Sequence, residues 1–241
     1  MSKKEKLKII HDKSIIIIFS VVLFIIIVFG SLNLMIFNKD FYYREYSKNN
    51  VYFKLTENTG VTRDVAVDTI TNATENTVNY LRGSEKELTH FTDAEKSHMS
   101  DVKHLINVMH IVYYSAAILC ILLFFYTYQK FKNDKFMFTK ILTKALLYSS
   151  ISTIIFLIVI FLLCVFYFEL VFTIFHMIFF PQGNWMFDSS SLLITMFPEQ
   201  FFFDISLRIF IYAIFQALIF FGIGYWLNKQ LKIIEKHHPK V

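Results

Sequence analysis

Charge, glycine, proline and cysteine are all scarce in this sequence. Charged residues are 18% of the 241 residues, below the ~25% usual in soluble domains. With six glycines, three prolines and a hydrophobic content of 55%, collagen-like, linker-like and disordered chains are excluded. The two cysteines, Cys120 and Cys164, lie in apolar runs without metal-binding or redox spacing, and we interpret them as packing residues. A water-soluble globule is therefore not expected.

Long uncharged segments take the place of a soluble core. Four windows contain no Asp, Glu, Lys or Arg, namely 14–38, 104–129, 145–168 and 209–228. Each is long enough for a helix to cross the ~30 Å hydrocarbon core, and a lone segment in lipid must satisfy its backbone hydrogen bonds as a helix. The first window exceeds a signal-peptide core and has no small-x-small cleavage site after it, so we interpret it as an uncleaved anchor. The predicted fold class is an all-α integral membrane protein with four transmembrane helices and an extracellular, mostly helical cap.

Lysine distribution predicts how these helices are oriented. Lysines cluster in three segments outside the apolar windows. They are Lys3, Lys4, Lys6, Lys8 and Lys13 in the N-terminal tail, Lys130, Lys132, Lys135 and Lys140 after the second helix, and Lys229, Lys232, Lys236 and Lys240 in the C-terminal tail. The positive-inside rule makes these segments cytoplasmic. The net charge of +5 is thus a topology signal facing anionic lipid, and no nucleic-acid partner is expected.

The predicted organisation follows from these windows and charges. Both termini are predicted to be cytoplasmic, and the chain is predicted to be a multi-pass membrane protein. The segments are a cytoplasmic tail (1–13), helix one (14–38), the extracellular cap (39–103), helix two (104–129), a cytoplasmic turn (130–144), helix three (145–168), an extracellular aromatic-rich interfacial loop (169–208), helix four (209–228) and a cytoplasmic tail (229–241).

Two helix signals occur in the first extracellular segment. From Thr62 to Arg82 apolar residues recur at near-helical spacing, and Gly83 can end that helix in the left-handed conformation. Thr92 and the three residues after it form a Ser/Thr-x-x-Glu capping box with two acids in the first turn. No Gly or Pro follows until well past Tyr128. We therefore expect one long helix that begins outside the bilayer and descends into it.

Two histidines are predicted at the outer interface. His98 lies seven residues before Leu105, where the apolar run begins, which places it ~10 Å above that run on a helix. His176 follows the third helix in a nearly apolar stretch, either as a helical continuation or lying flat in the interface. Because helices two and three are joined by a short turn, they should be antiparallel neighbours. The two imidazoles could then meet. His104 is rotated ~120° from the face of His98, and His110 has a more ordinary packing interpretation.

Aromatic residues mixed with turn residues make up two further segments. These are 179–188 and 197–204, both too broken to span a membrane. They indicate a re-entrant or interfacial loop, with Trp185 at the water boundary. Such a loop could form the wall of an apolar pocket, and an ordinary aromatic belt is the alternative.

The residues around both histidines resemble a known family. The run 91–103, with Phe175-His176 and the run 183–188, is similar to the bacterial lipoprotein intramolecular transacylase family. The resemblance covers nearly the whole chain. It implies an enzyme, an acyltransferase that makes lyso-form lipoproteins, with catalytic histidines at His98 and His176. It implies a location in the bacterial cell membrane, a diacylglyceryl-modified lipoprotein as substrate, membrane lipids as surroundings and an active site at the outer-leaflet interface.

Chemistry at those residues agrees with that implication. An imidazole, with an ordinary pKa of ~6.5, can both take and give the protons that such a transfer requires. We expect His98 to be the base and His176 to stabilise the oxyanion and protonate the glycerol oxygen. The supporting or substrate-binding candidates are Glu95, Asp101, Lys103, Phe179, Trp185, Phe187 and Asp188.

The two carboxylates near His98 have two interpretations. Glu95 and Asp101, each three residues from His98, could orient its imidazole, or could form only a helix-start charge and a rim salt bridge. No metal, no cofactor and no obligate protein partner is expected. The alternatives are a metal-dependent membrane hydrolase and a non-catalytic membrane protein that binds lipid or peptide.

Overall fold

The computed structural model describes the backbone of residues 3–237 and the side chains of residues 10–236. The side chains of Lys3, Lys4, Lys6 and Lys8, and all of Lys240, which entered the topology prediction, lie outside the described residues. Within residues 3–237 the elements are eight helices: α1 (Lys3–Ile36), α2 (Lys39–Lys48), α3 (Val51–Thr59), α4 (Arg63–Arg82), α5 (Asp93–Phe131), α6 (Lys135–Phe179), α7 (Leu192–Met196) and α8 (Glu199–His237).

Four of these helices are long and apolar enough to cross a membrane. Their spans are Ile10–Ile36, Asp93–Phe131, Lys135–Phe179 and Glu199–Lys236. Large apolar side chains such as Ile111 and Phe166 are exposed on them, as expected where lipid is the solvent. The predicted all-α membrane fold with four spanning helices is confirmed.

The chain divides into two compact units. The bundle unit comprises the described residues of Met1–Leu32, Ile111–Ile160 and Ile209–Val241, and the cap unit comprises Asn33–His110 and Phe161–Arg208. In the bundle unit, Phe19, Leu23 and Ala145 form one apolar cluster. Gln216 also donates a hydrogen bond to the Ser31 hydroxyl (2.8 Å). Small and hydroxyl residues at such contacts let membrane helices approach closely.

The cap unit is built from short helices with clear end signals. Helix α4 ends where Gly83 adopts φ +85°, as the sequence predicts, because glycine has no Cβ to clash in the left-handed region. The periodic residues Ile70, Ala73 and Val78 are fully buried. Val65, at the start of the same pattern, is exposed. The helical face predicted for this segment is therefore correct except in its first turn.

A buried charged cluster in the cap unit has no counterpart in the sequence predictions. Lys48 Nζ lies 2.6 Å from an Asp204 carboxylate oxygen and 3.8 Å from one of Glu45. Gln200 donates a second hydrogen bond to Asp204 (3.1 Å). Both carboxylates are buried, and burial together with the nearby Asp204 raises the pKa of Glu45. This cluster connects α2 to α8.

Candidate active site

The capping box at the start of α5 fixes the position of His98. The Thr92 N–H and hydroxyl both donate to one Glu95 carboxylate oxygen (2.8 Å each), and the Glu95 N–H donates to the Thr92 hydroxyl at 3.4 Å. These reciprocal bonds satisfy N–H groups that a helix start otherwise leaves unpaired. The predicted capping box is confirmed, and His98 lies one turn further along α5.

Glu95 makes a further contact across the cap unit. Its other carboxylate oxygen accepts a hydrogen bond from the Leu193 N–H in the first turn of α7 (2.8 Å), and the side chain is only 1% exposed. Both carboxylate oxygens are thus occupied by Thr92 and Leu193. Of the two interpretations of Glu95, these contacts favour the one at a helix start, because the carboxylate is directed to the starts of α5 and α7 and not to the His98 imidazole.

His176 lies near the C-terminal end of α6, which remains helical up to Phe179. Of the two arrangements left open by the sequence, the structure therefore has the helical one. A break in helical geometry at Tyr167 (φ −142°, ψ 40°) separates the segment that carries His176 from the rest of α6. The His176 Nδ1 lies 2.8 Å from the Phe172 carbonyl oxygen one turn earlier. Because a carbonyl only accepts, Nδ1 must carry the proton, and Nε2 of a neutral His176 has a free lone pair.

A tight turn after α6 folds the following loop back onto the histidines. The Phe180 N–H donates to the His176 carbonyl (2.7 Å), and the Gly183 N–H donates to the Phe180 carbonyl (3.1 Å). Gly183 has φ +76°, a left-handed conformation in which a Cβ would be strained. Trp185 then lies over His176, with ring centroids 4.8 Å apart.

The two imidazoles lie together inside an aromatic wall. Their ring centroids are 6.1 Å apart with an interplanar angle of 25°, and each residue is 7% exposed. Phe180 contacts both rings, at 4.8 Å from His98 and 5.5 Å from His176. Phe187 adds a contact to His98 (5.7 Å), and Phe172 one to His176 (4.1 Å). The expectation that the two histidines meet agrees with this geometry, while their catalytic role stays a prediction.

Asp101 forms the polar side of this site. One of its carboxylate oxygens accepts hydrogen bonds from the amide nitrogens of Gln182 (2.6 Å) and Asn184 (2.7 Å). Asn184 Oδ1 and His98 Nδ1 are both buried without a hydrogen-bond partner. Asp101 therefore holds the loop after α6 beside His98.

Three other candidates are engaged elsewhere. The Lys103 ammonium lies over the Tyr80 ring, 3.9 Å from its centroid. Phe179 packs on Phe175 (4.8 Å) and is half exposed. Asp188 accepts hydrogen bonds from the Ser190 N–H and hydroxyl (2.8 and 2.6 Å), which lower the pKa of that exposed carboxyl. We find no described contact from these three residues to either imidazole.

The remaining histidines of the second spanning helix have different surroundings. His104 is exposed, in line with its predicted rotation away from His98. His110 Nε2 lies 2.8 Å from the Asn33 side-chain oxygen, and its ring stacks on Phe37. Among the described residues, no group of three or more His, Cys, Asp or Glu side chains is arranged to hold a metal ion.

Sequence reasoning did not single out four residues that belong to the site. These are Phe172, Phe180, Gln182 and Asn184. Gln182 and Asn184 could have been noticed from the sequence, because they flank a glycine just after Pro181, a pattern that indicates a turn. The two phenylalanines had no such signal, since aromatic residues are abundant throughout the chain.

A known protein family matches most of this chain. The family model of the lipoprotein intramolecular transacylase Lit matches residues 17–202. That match includes both histidines, the capping box and the loop after α6. No curated protein sequence matches the chain significantly.

Solved structures of one bacterial protein have a similar fold. The lipoprotein intramolecular transacylase Lit from Bacillus cereus superposes with a TM-score of 0.76 at 24% identity, covering 92% of this chain and 98% of that one. Variants of that protein with one histidine changed to arginine or to alanine give TM-scores of 0.74 and 0.75, at 23% and 22% identity. They cover 96% of this chain and 99% and 100% of theirs. Since the family model matches well over half of its residues, this chain belongs to the lipoprotein intramolecular transacylase family, Lit.

Proposed function

We propose that this protein moves the acyl chain from the middle glycerol carbon of an S-diacylglyceryl lipoprotein to the amine of the N-terminal cysteine. The amine attacks the ester carbonyl, the bond from the acyl carbon to the glycerol oxygen breaks, and an amide and a free glycerol hydroxyl remain. The product is a lyso-form lipoprotein. Family membership supports the transacylase class, and the buried histidine pair supports this particular chemistry.

The reaction first requires that the amine and the ester be held close together. The attack closes an eight-membered ring through the cysteine, the sulfur and two glycerol carbons, which is entropically unfavourable. A pocket that holds amine and ester ~3–3.5 Å apart can offset up to ~7–11 kcal/mol of the barrier. The aromatic wall formed by Phe180, Phe187 and Trp185 is apolar, as a site for acyl chains and glycerol should be.

Proton accounting then requires two basic groups. The substrate ammonium must lose one proton before it can attack. A second proton leaves the nitrogen in the tetrahedral intermediate and ends on the glycerol oxygen. One proton is therefore released to solvent per turnover, and one is passed between two substrate atoms. Two imidazoles, each with a lone pair at one ring nitrogen, match this requirement.

The two histidines divide these steps. His98, next to the Asp101 carboxylate that attracts the ammonium, removes the first proton. His176 takes the second proton at Nε2 and returns it to the glycerol oxygen. Because its Nδ1–H is committed to the Phe172 carbonyl, a neutral His176 has no N–H to offer an oxyanion. The oxyanion role expected for His176 from the sequence is therefore replaced, and the imidazolium formed at His98 supplies that charge stabilisation.

The site is proposed to face the outer leaflet. Lysine-rich segments support a cytoplasmic location for both termini by the positive-inside rule. Helix α5 then begins outside the bilayer, and His98 in its second turn lies near the membrane surface. Diacylglyceryl-modified lipoproteins anchored in that leaflet would present the cysteine at the same depth.

Acyl migration is tested on a defined substrate. A diacyl lipopeptide is incubated with purified protein, and fragmentation mass spectrometry locates the acyl chain, since the product is an isomer with unchanged total mass. We expect His98→Ala and His176→Ala to lose at least ~10²-fold in rate, as for a positioned acid or base. His104→Ala, a change of an exposed histidine on the same helix, is the matched control and should retain activity.

The pH profile of two further variants tests the division of roles. His98→Gln should be partly rescued at high pH, because the amine then deprotonates unaided, whereas His176→Gln should not. Rescue in the reverse order would exchange the two roles. Undiminished acyl transfer in both alanine variants would end the catalytic interpretation and leave a lipid-binding or peptide-binding protein.

A further inference from the structure

Asp101 sets the orientation of the Asn184 side-chain amide. Its amide nitrogen donates to the Asp101 carboxylate at 2.7 Å and, more weakly, to the Ser97 hydroxyl at 3.4 Å. An ionised carboxylate only accepts, so the NH2 group must face Asp101. The two ends of this amide are therefore not interchangeable, and Oδ1 points away from Asp101.

Two buried atoms on the neighbouring side chains of Asn184 and His98 lack a hydrogen-bond partner. Asn184 Oδ1 is a hydrogen-bond acceptor with no donor, and His98 Nδ1 is buried without a partner as well. Asn184, which lies in the loop after α6, has its polar side chain beside the His98 imidazole. Buried polar groups in folded proteins are nearly always paired, and these two complement each other if Nδ1 carries the proton.

We propose that Asn184 is a positioning residue for His98. Its Oδ1 accepts a hydrogen bond from His98 Nδ1–H, so that His98 Nε2 is left as the proton acceptor. Asp101 acts through Asn184 by holding its amide in one orientation. The inference rests on the proposed function, since it names what prepares His98 to act as the base. The opposite tautomer would set two lone pairs, at Nδ1 and Oδ1, against each other.

The two histidines thereby reach the same tautomer by different means. His176 is fixed by a backbone carbonyl, that of Phe172, which no side-chain substitution removes. His98 depends on a side-chain amide in a loop, so its tautomer can be changed by substitution. The groups near His98 that can carry charge are His176, from α6, and Asp101, on its own helix.

The tautomer is measured directly by ¹⁵N NMR of histidine-labelled protein in detergent, with His98→Gln used to assign the signals. We expect His98 in the unsubstituted protein to be protonated at Nδ1, and Asn184→Ala to give a mixture of tautomers while the His176 signals stay unchanged. A His98 protonated at Nε2 in the unsubstituted protein, or an unaltered tautomer in Asn184→Ala, would overturn the proposal.

Acyl transfer provides the second readout. Asn184→Ala should lower the rate ~10–100-fold, the scale on which outer partners of functional histidines act. Ser190→Ala is the matched control in the same loop: it removes an exposed hydroxyl that donates to Asp188 (2.6 Å) and should change the rate by less than about threefold. An Asn184→Ala variant that is folded and fully active refutes the positioning role.

Exchanging the side chains of Asp101 and Asn184 distinguishes a positioning role of Asn184 from a purely structural one. The double variant Asp101→Asn with Asn184→Asp places a carboxylate directly against His98 Nδ1. It should be more active than Asn184→Ala, with the low-pH limb of its rate profile moved to higher pH; no rescue and no move of that limb would contradict the proposal. If the ¹⁵N signals behave as expected but no protein transfers the acyl chain, the proposed function fails while the Asn184 contact stands.

Discussion

Replacement of Glu95 tests whether this carboxylate has a structural role instead of a catalytic one. Glu95 is buried and accepts three hydrogen bonds, two from Thr92 and one from the Leu193 N–H. Alanine removes all three acceptor contacts at once. The Leu193 N–H then stays buried without a partner, and the first turn of α5 loses its capping box.

The expected cost follows from those contacts. A lost N-cap interaction costs ~0.5–2 kcal/mol, and a hydrogen bond to a charged acceptor is worth ~1.5–3 kcal/mol. Because the Thr92 contacts belong to one cap and are not additive, we expect Glu95→Ala to lower the free energy of unfolding by ~2–5 kcal/mol. Glu95→Gln keeps the volume and one acceptor oxygen and should lose about half as much.

The assay combines thermal unfolding in detergent with amide hydrogen exchange. Asp93→Ala is the matched control, because Asp93 is a fully exposed first-turn acid whose pair with Lys96 (3.7 Å) should be worth less than ~1 kcal/mol. In Glu95→Ala the Leu193 amide should lose its protection, which Asp93→Ala should leave intact. A Glu95→Ala protein as stable as Asp93→Ala, with Leu193 still protected, would refute the reasoning.

Three further predictions concern charge, topology and chemistry. The pKa of Glu45 is raised from its ordinary value of 4.5 by burial and by Asp204, so its contribution to stability is fully present below about pH 4.5 and is lost as the pH rises through the raised pKa. Glu45→Gln, which mimics the neutral acid, should therefore become more stable relative to the unsubstituted protein as the pH rises above about 4.5, and a difference in thermal stability that does not change with pH would contradict this. In a cysteine-free background, Asn72→Cys should be labelled by a membrane-impermeant thiol reagent on intact cells and Lys132→Cys should not; the reverse pattern would invert the topology. EDTA should leave acyl transfer unchanged, and loss of activity with recovery on zinc would favour the metal hydrolase.

Much of the fold could be predicted because lipid imposes simple requirements. Uncharged windows of sufficient length have to be helices, and the capping box at Thr92 and the glycine at Gly83 mark their ends by local chemistry. These signals need no tertiary information. The paired histidines were reached in the same way, from their heights relative to two apolar runs joined by a short turn.

The parts that could not be predicted depend on contacts between distant residues. Helices α2 and α3 are only ten and nine residues long, and α2 is held by Lys48, which pairs with Asp204 more than a hundred residues away. Glu95 shows the same effect at one residue. Its spacing from Thr92 predicts a cap, but its second contact, with Leu193, exists only once α7 is in place. A single sequence gives no sign of such partners.

The geometry of the histidine pair depends on the ends of two helices. His98 lies just inside the start of α5, which Glu95 ties to α7, and His176 lies just before the end of α6, where Gly183 turns the chain back. Helix termini have unpaired N–H and carbonyl groups that must be satisfied by capping or turn contacts. Those same contacts set the spacing of the imidazoles, and Asp101 holds the loop after α6 by accepting a hydrogen bond from Asn184. The same hydrogen bonds that terminate the helices therefore also fix the spacing of the proposed catalytic groups.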